Sequence, residues 1–231
     1  MKPGQRQITR WWQEYVLGRL RTPQALFAAA RAETPEKYED RFTRAPADNR
    51  EWDTPKRLAA PSFLPTAIYA AQQRRADWQQ CDPRMRLLAA RIVLRAAKVG
   101  IPLYVHSAFR SEAEQDELVR RGVTKARYPR SAHNTGEAFD LVHCLFHWEL
   151  TAREWSYLHW LGMDELRKIN AKLSKDKKLQ VNWGGNDGTA SDTFKWDPAH
   201  WEVLDYRTRI RKLAVGDPVH MLPTATVALL R

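Results

Sequence analysis

The stretch Ser131-Ala132-His133-Asn134-Thr135-Gly136-Glu137-Ala138-Phe139-Asp140 decides how the chain is read. In an unbroken strand, residues spaced as His133 and Asp140 are would point to opposite faces. Asn134-Thr135-Gly136 is a turn signal, however, and Gly136 can take a positive φ. The chain can then bend and bring imidazole and carboxylate together. Such a pair is half of a site for a borderline-hard metal ion. A second stretch, Trp196-Asp197-Pro198-Ala199-His200-Trp201-Glu202, supplies the other half. Asp then Pro suits the first two positions of a type I turn, which brings i and i+3 within about 7 Å, so Asp197 stands beside His200 where a strand begins. Two His and one Asp leave a fourth tetrahedral position for water, and a carboxylate beside a ligand is where a general base must stand.

Working outward, Ser107-Ala-Phe-Arg110-Ser111 places a guanidinium at a strand-to-helix junction, suited to an oxyanion or carboxylate. Gln115, one turn into the following helix, can face the same cleft. Met85, Leu88, Ala89, Ile92, Val93, Ala96 and Val99 carry helical spacing, and Gly100 ends the run. Ile101 to His106 reads as a strand, with Pro102 marking an edge or a strand start. Ser111 with Glu114, and Thr151 with Glu154, are capping boxes opening helices that run to Gly122 and toward Leu173. Leu179–Trp183 and His200–Leu204 read as further strands. Helices and short strands that do not alternate regularly predict an α+β domain.

The sequence resembles the zinc D-alanyl-D-alanine peptidase family. The resemblance rests on Phe109-Arg110-Ser111, Gln115, Ser131-x-His133-x-x-Gly136-x-Ala138-x-Asp140, Trp183-Gly184-Gly185 and Asp197-x-x-His200-x-Glu202, in that order, across Met85 to Tyr206. That family includes D,D-carboxypeptidases, vancomycin-resistance D,D-dipeptidases and the L-alanyl-D-glutamate endopeptidases used as phage endolysins. The resemblance implies a hedgehog-like zinc peptidase domain, with a small antiparallel sheet flanked by helices and one Zn2+ per chain. Carried onto this sequence, His133, Asp140 and His200 match the zinc ligands and Asp197 the catalytic carboxylate. Arg110 matches the arginine that steadies substrate and transition state, and Ser131, with Gln115, falls among substrate-binding positions. Trp201 replaces a common Phe, the stretch Asn186–Lys195 is lengthened and polar, and the first 80 residues match no part of the family.

The remaining sequence sets the boundaries of that reading. The 231 residues carry a net charge of +11, with 38 Lys+Arg against 27 Asp+Glu, which predicts attraction to polyanions. Residues 1–80 read as a basic extension holding 14 basic and 9 acidic residues, with a helix over Ile8–Leu20 that carries Trp11 and Trp12; 81–210 read as the peptidase domain and 211–231 as a basic tail. Two cysteines, Cys81 and Cys144, make no disulfide framework; they read as small buried hydrophobes, with one bridge between them as the alternative. The N-terminus lacks a secretory h-region, and the longest uncharged run, Leu58–Gln73, is broken by Pro61 and Pro65 and is too short to span a bilayer. The expectation is therefore a monomer made in the cytoplasm that acts on the wall after release, or a virion-associated one. Its partners would be a peptidoglycan stem peptide and anionic envelope polymers rather than nucleic acid. The alternative class is a basic virion-associated or nucleic-acid-binding protein with an inactive peptidase-like domain. Of the other histidines, His106 and His159 read as structural, and His143 and His147 as solvent-facing or supporting. Glu137 and Glu202 read either as carboxylates orienting a ligand His or as exposed strand charges. The run Arg120, Arg121, Lys125, Arg127, Arg130 reads as a solvated face able to steer an anionic substrate.

Overall fold

The computed structural model describes residues 53–185, 197–207 and 210. The expected helix over Ile8–Leu20, the lengthened stretch Asn186–Lys195 and the tail 211–231 lie outside the described residues.

Among the described residues, four α-helices and four strands position the site: α1 (Ala67–Gln73), α2 (Pro83–Lys98), β1 (Leu103–Ser107), α3 (Glu112–Arg120), β2 (Ala138–His143), α4 (Ala152–Asn170), β3 (Val181–Trp183) and β4 (His200–Val203). Each helix start has a local chemical cause. The Asp82 carboxylate accepts from the Arg84 N–H and Pro83 sits at the first helical position of α2, while both capping boxes read from the sequence are formed at α3 and α4. Gly100 and Gly122, where the sequence ends helices, adopt φ of 80° and 69°.

The strands pair antiparallel in the order β1-β2-β4-β3, so β1, which follows Pro102, is an edge strand as expected. The result is an α+β fold around a small four-stranded antiparallel sheet. One face of the sheet packs on α2 and α4. Met85, Leu88, Ala89, Ile92 and Ala96 are fully buried there with Phe139, Leu141 and Trp201, and each large apolar side chain so buried contributes roughly 1.5–3 kcal/mol. Phe139 stacks on Trp201 at 6.0 Å, and Gly162 of α4 lies so close to the Trp201 ring that a Cβ there would overlap it.

The core reaches further upstream than the expected boundary at residue 80. Leu58 and Phe63 are fully buried in it. The Gln73 side-chain amide donates to the Leu103 carbonyl (2.8 Å), and the Phe109 N–H donates to the Asp77 carbonyl (2.9 Å). The described part of the supposed extension, from about Thr54 to Gln80, is thus part of the folded domain. The reason is visible only in three dimensions: β1 is an edge strand, and this segment covers it.

Candidate metal centre

Three elements bring the proposed ligands together. Residues Ala132–Thr135 form a single 3-10 turn, with the Ser131 hydroxyl accepting from the His133 N–H and the Asn134 side-chain oxygen Oδ1 accepting from the Ser131 N–H. Gly136 ends that turn in the left-handed region (φ 68°), pressed so closely on the Gln80 backbone that no side chain fits. The bend delivers His133 back over β2, where Asp140 sits. Asp140 and His200 are direct partners across β2 and β4, so their side chains share a face. His200 is held at the end of its turn by its own N–H donating to the Asp197 carbonyl (3.0 Å), the i to i+3 bond the Asp-Pro sequence calls for.

The donor atoms converge tightly. His133 Nε2 lies 3.2 Å from Asp140 Oδ1 and 3.3 Å from His200 Nδ1, and His200 Nδ1 lies 3.0 Å from Asp140 Oδ1. The edge of a tetrahedron with metal–ligand bonds of about 2.0–2.1 Å is about 3.3 Å, so the spacing fits a zinc-sized ion. Tautomers fit as well. His133 Nδ1 lies 2.7 Å from the Ala108 carbonyl, which can only accept, so its proton is committed there and Nε2 presents a lone pair. His200 Nε2 lies 3.1 Å from the Glu202 carboxylate, so its proton is committed outward and Nδ1 presents a lone pair. Three lone pairs facing one point, shielded from most of the solvent, repel one another unless a cation or a proton lies among them. This His-Asp-His triad can hold a metal ion, each imidazole braced from behind by an acceptor.

Electrostatics say the same thing. Burial and the nearby Arg110 charge hold His133 below its ordinary value, against the pull of Asp140. Burial opposes charge on His200 too, but hydrogen bonds to Asp140 and Glu202 outweigh it and lift the ring to about 10. Burial also works against the Asp140 charge, yet the two imidazoles keep it well below the usual carboxylate range. The cluster therefore seeks positive charge. Asp197 is the contrast: burial first, then the Asp140 charge, raise it to about 6, near where a general base is useful. Its N–H donates to the Gly184 carbonyl (3.0 Å), and the Gly184 N–H donates to the His200 carbonyl (2.8 Å). A Cβ on Gly184 would run into the Asp197 carbonyl, so a glycine is required for this close approach. The Trp183 indole N–H donates to Pro198 (2.7 Å), and His159 stacks on Trp183 at 4.2 Å, a structural role as expected.

Arg110 enters from the β1–α3 junction. It donates to the Gln115 side-chain oxygen (3.1 Å) and to the Ser107 hydroxyl (3.3 Å), and its Nη2 is 3.8 Å from Asp140 Oδ2, the carboxylate oxygen turned away from the imidazoles. Gln115 differs from its expected placement on a substrate-lined cleft. It is fully buried and also donates to the Ala126 carbonyl (2.6 Å), so its amide supports Arg110 from behind. Ser131 likewise spends its hydroxyl on the turn that carries His133.

No protein-family model and no curated protein matches the chain. Among solved structures, the L-Ala D-Glu endopeptidase ChiX of Serratia marcescens is similar to it, with a TM-score of 0.40 and 24% identity over 62% of this chain and 90% of that one.

Several supporting residues escaped the sequence. Asn134 donates to the Arg110 carbonyl (2.9 Å), tying the histidine turn to the arginine, and Asn182 donates to the Glu202 carboxylate (3.3 Å) that braces His200. Asn182 opposes Glu202 in register, a signal that exists only once strands are paired. Of its two readings, Glu202 takes the one beside His200, whereas Glu137 accepts from the Thr135 hydroxyl (2.9 Å) and braces the turn. His143 is not solvent-facing: fully buried, it donates through Nε2 to the Leu58 carbonyl (2.9 Å) and accepts the Leu145 and Phe146 N–H groups at Nδ1. Cys81 and Cys144 are free and buried, as expected of small apolar residues.

Proposed function

We propose that the chain is a zinc-dependent peptidase that hydrolyses an amide bond in the peptidoglycan stem peptide, of the L-Ala–D-Glu endopeptidase or D-Ala–D-Ala carboxypeptidase type. The observation that carries this reading is the trio of lone pairs on His133, Asp140 and His200, spaced 3.0–3.3 Å apart with both imidazole protons committed elsewhere. These three residues would hold Zn2+, which supplies a Lewis acid and a water acidified toward neutral pH. Asp197, half-buried and ionised above about pH 6, takes the proton of the attacking water and returns it to the leaving amine. Arg110 keeps its fork oriented through Gln115 and Ser107 and offers its remaining N–H groups to the oxygen that gains charge at the tetrahedral stage. Glu202 and the Ala108 carbonyl hold the two imidazoles in the tautomers that the metal needs. The enzyme would act as a monomer on the cell wall after release, in the manner of phage lytic enzymes. An intact ligand set with a carboxylate beside it weighs against an inactive binding protein.

The test is digestion of defined muropeptides by the purified full chain, with products read by mass spectrometry and zinc measured by elemental analysis. One zinc per chain and new stem-peptide termini are the expected result. Cut glycan strands with intact stem peptides, or cleavage untouched by chelation, would overturn the proposal.

A further inference from the structure

Between α3 and the histidine turn runs Arg120-Arg121-Gly122-Val123-Thr124-Lys125-Ala126-Arg127-Tyr128-Pro129-Arg130, five cations with no acidic residue among them. Arg120 is paired with Glu117 of α3. Lys125, Arg127 and Arg130 are exposed, and among the described residues no carboxylate is paired with any of the three. Like charges gathered without acids repel one another, so the arrangement costs stability unless something anionic is bound.

The loop is also anchored. The Val123 N–H donates to the Leu118 carbonyl (2.9 Å), the Ala126 N–H to the Thr124 hydroxyl (3.1 Å), and the Arg130 N–H to the Arg127 carbonyl (2.7 Å). The buried Gln115 joins it to the metal centre: one end of its amide donates to the Ala126 carbonyl (2.6 Å), the other accepts from Arg110 (3.1 Å). Arg130 is three residues from His133, so their Cα atoms are at most about 11 Å apart. The three free cations therefore stand on an anchored loop that is tied to Arg110 through Gln115 and leads into the turn that carries His133.

We infer that the loop 120–130 docks an acidic peptide segment of the substrate, with Lys125, Arg127 and Arg130 receiving its carboxylates while the neighbouring amide lies at the metal centre. The inference rests on the peptidase reading and adds charge selection to it. Peptide carboxylates match the guanidinium fork in pairs. The loop is joined to Arg110 through Gln115 and to His133 through the chain, so residues adjoining an amide at the metal centre come within reach of it.

The experiment uses the full chain carrying Asp197→Asn, so that no probe is cut, and reads fluorescence anisotropy of a labelled oligo-glutamate peptide at low salt. Lys125→Gln/Arg127→Gln/Arg130→Gln should weaken binding about tenfold, and added salt should erase the difference. A control triple, Lys175→Gln/Lys177→Gln/Lys178→Gln, removes the same charge from an exposed turn elsewhere and should change binding less than about twofold. Oligo-glutamine should bind neither triple nor parent. Equal losses in the two triples, tight oligo-glutamine binding, or a DNA duplex that outcompetes oligo-glutamate through the same three residues would overturn the docking surface. Zinc content and muropeptide cleavage are measured separately on the parent chain. If cleavage persists without selective oligo-glutamate binding, only the docking inference fails. If stem peptides stay intact, the peptidase reading fails by itself.

Discussion

Along β4, His200 and Glu202 turn toward the metal centre while Trp201 and Val203 turn into the apolar core, and β2 repeats the division with Asp140 against Phe139 and Leu141. The core face is complete as it stands: Trp201 stacks on Phe139 and presses on Gly162. The opposite face gathers donor atoms at 3.0–3.3 Å, a cluster that can hold a metal ion. Imidazoles make the contrast sharpest. On the core side of β2, His143 is held neutral, its value lowered to about 4 by burial; on the site side, His200 is raised to about 10 by its carboxylate partners. Burial opposes charge on both rings, and only the partners differ.

Perturbations should therefore separate along the two faces. The largest effect is expected at the site: Asp197→Asn should lower kcat on muropeptide about 10²–10⁴-fold while zinc stays bound, checked by turnover and elemental analysis together. Near-full activity in that variant would remove Asp197 from the chemistry. On the core face, Trp201→Ala should cost about 3–5 kcal/mol in chemical denaturation, with or without zinc. Equal stability of variant and parent would contradict the packing described for that face.

The next effect is a pH dependence. The unfolded chain protonates His143 near 6.5, the folded chain only near 4, so protons favour unfolding over that interval. The stability that the buried neutral ring contributes is fully present above pH 6.5 and is lost as pH falls toward 4, a decline of about 3 kcal/mol. His143→Gln should flatten this part of the curve in denaturation measured from pH 7.5 to 4.5; an unchanged slope would assign the acid sensitivity elsewhere. The smallest effect returns to the site. Glu202→Gln should weaken zinc binding about 10–100-fold in a competition titration, with little change in unfolding of the metal-free chain.

The sequence made the polar face easier to read than the apolar arrangement around it. The His133–Asp140 bend was legible because Gly136 follows two turn-forming residues, and the Asp197–His200 turn because Pro198 fixes its second position. Both capping boxes carry their chemistry within four residues, and they formed where read. What escaped depends on pairs far apart in the chain. Gln115 looked like a cleft residue because helix position says nothing about whether Ala126 folds over it. His143 and His147 read as solvent-facing or supporting, yet His143 closes β2, paired with Leu103, and His147 adopts a positive φ of 53°. The segment before Gln80 looked detached because its partner is the backbone of an edge strand, and backbone acceptors leave no trace in side-chain pattern.

The two bonds that join Gly184 to Asp197 and His200 have a consequence for how the chain can change. They hold the Asp197 turn and the start of β4 against Gly184 through backbone groups alone. A change of side chain at Asp197 therefore leaves both bonds in place, whereas Gly184 cannot vary, since a Cβ there meets the Asp197 carbonyl. The frame that presents the carboxylate is thus separable from the carboxylate itself, and its chemistry can be exchanged while the three donors stay where they are.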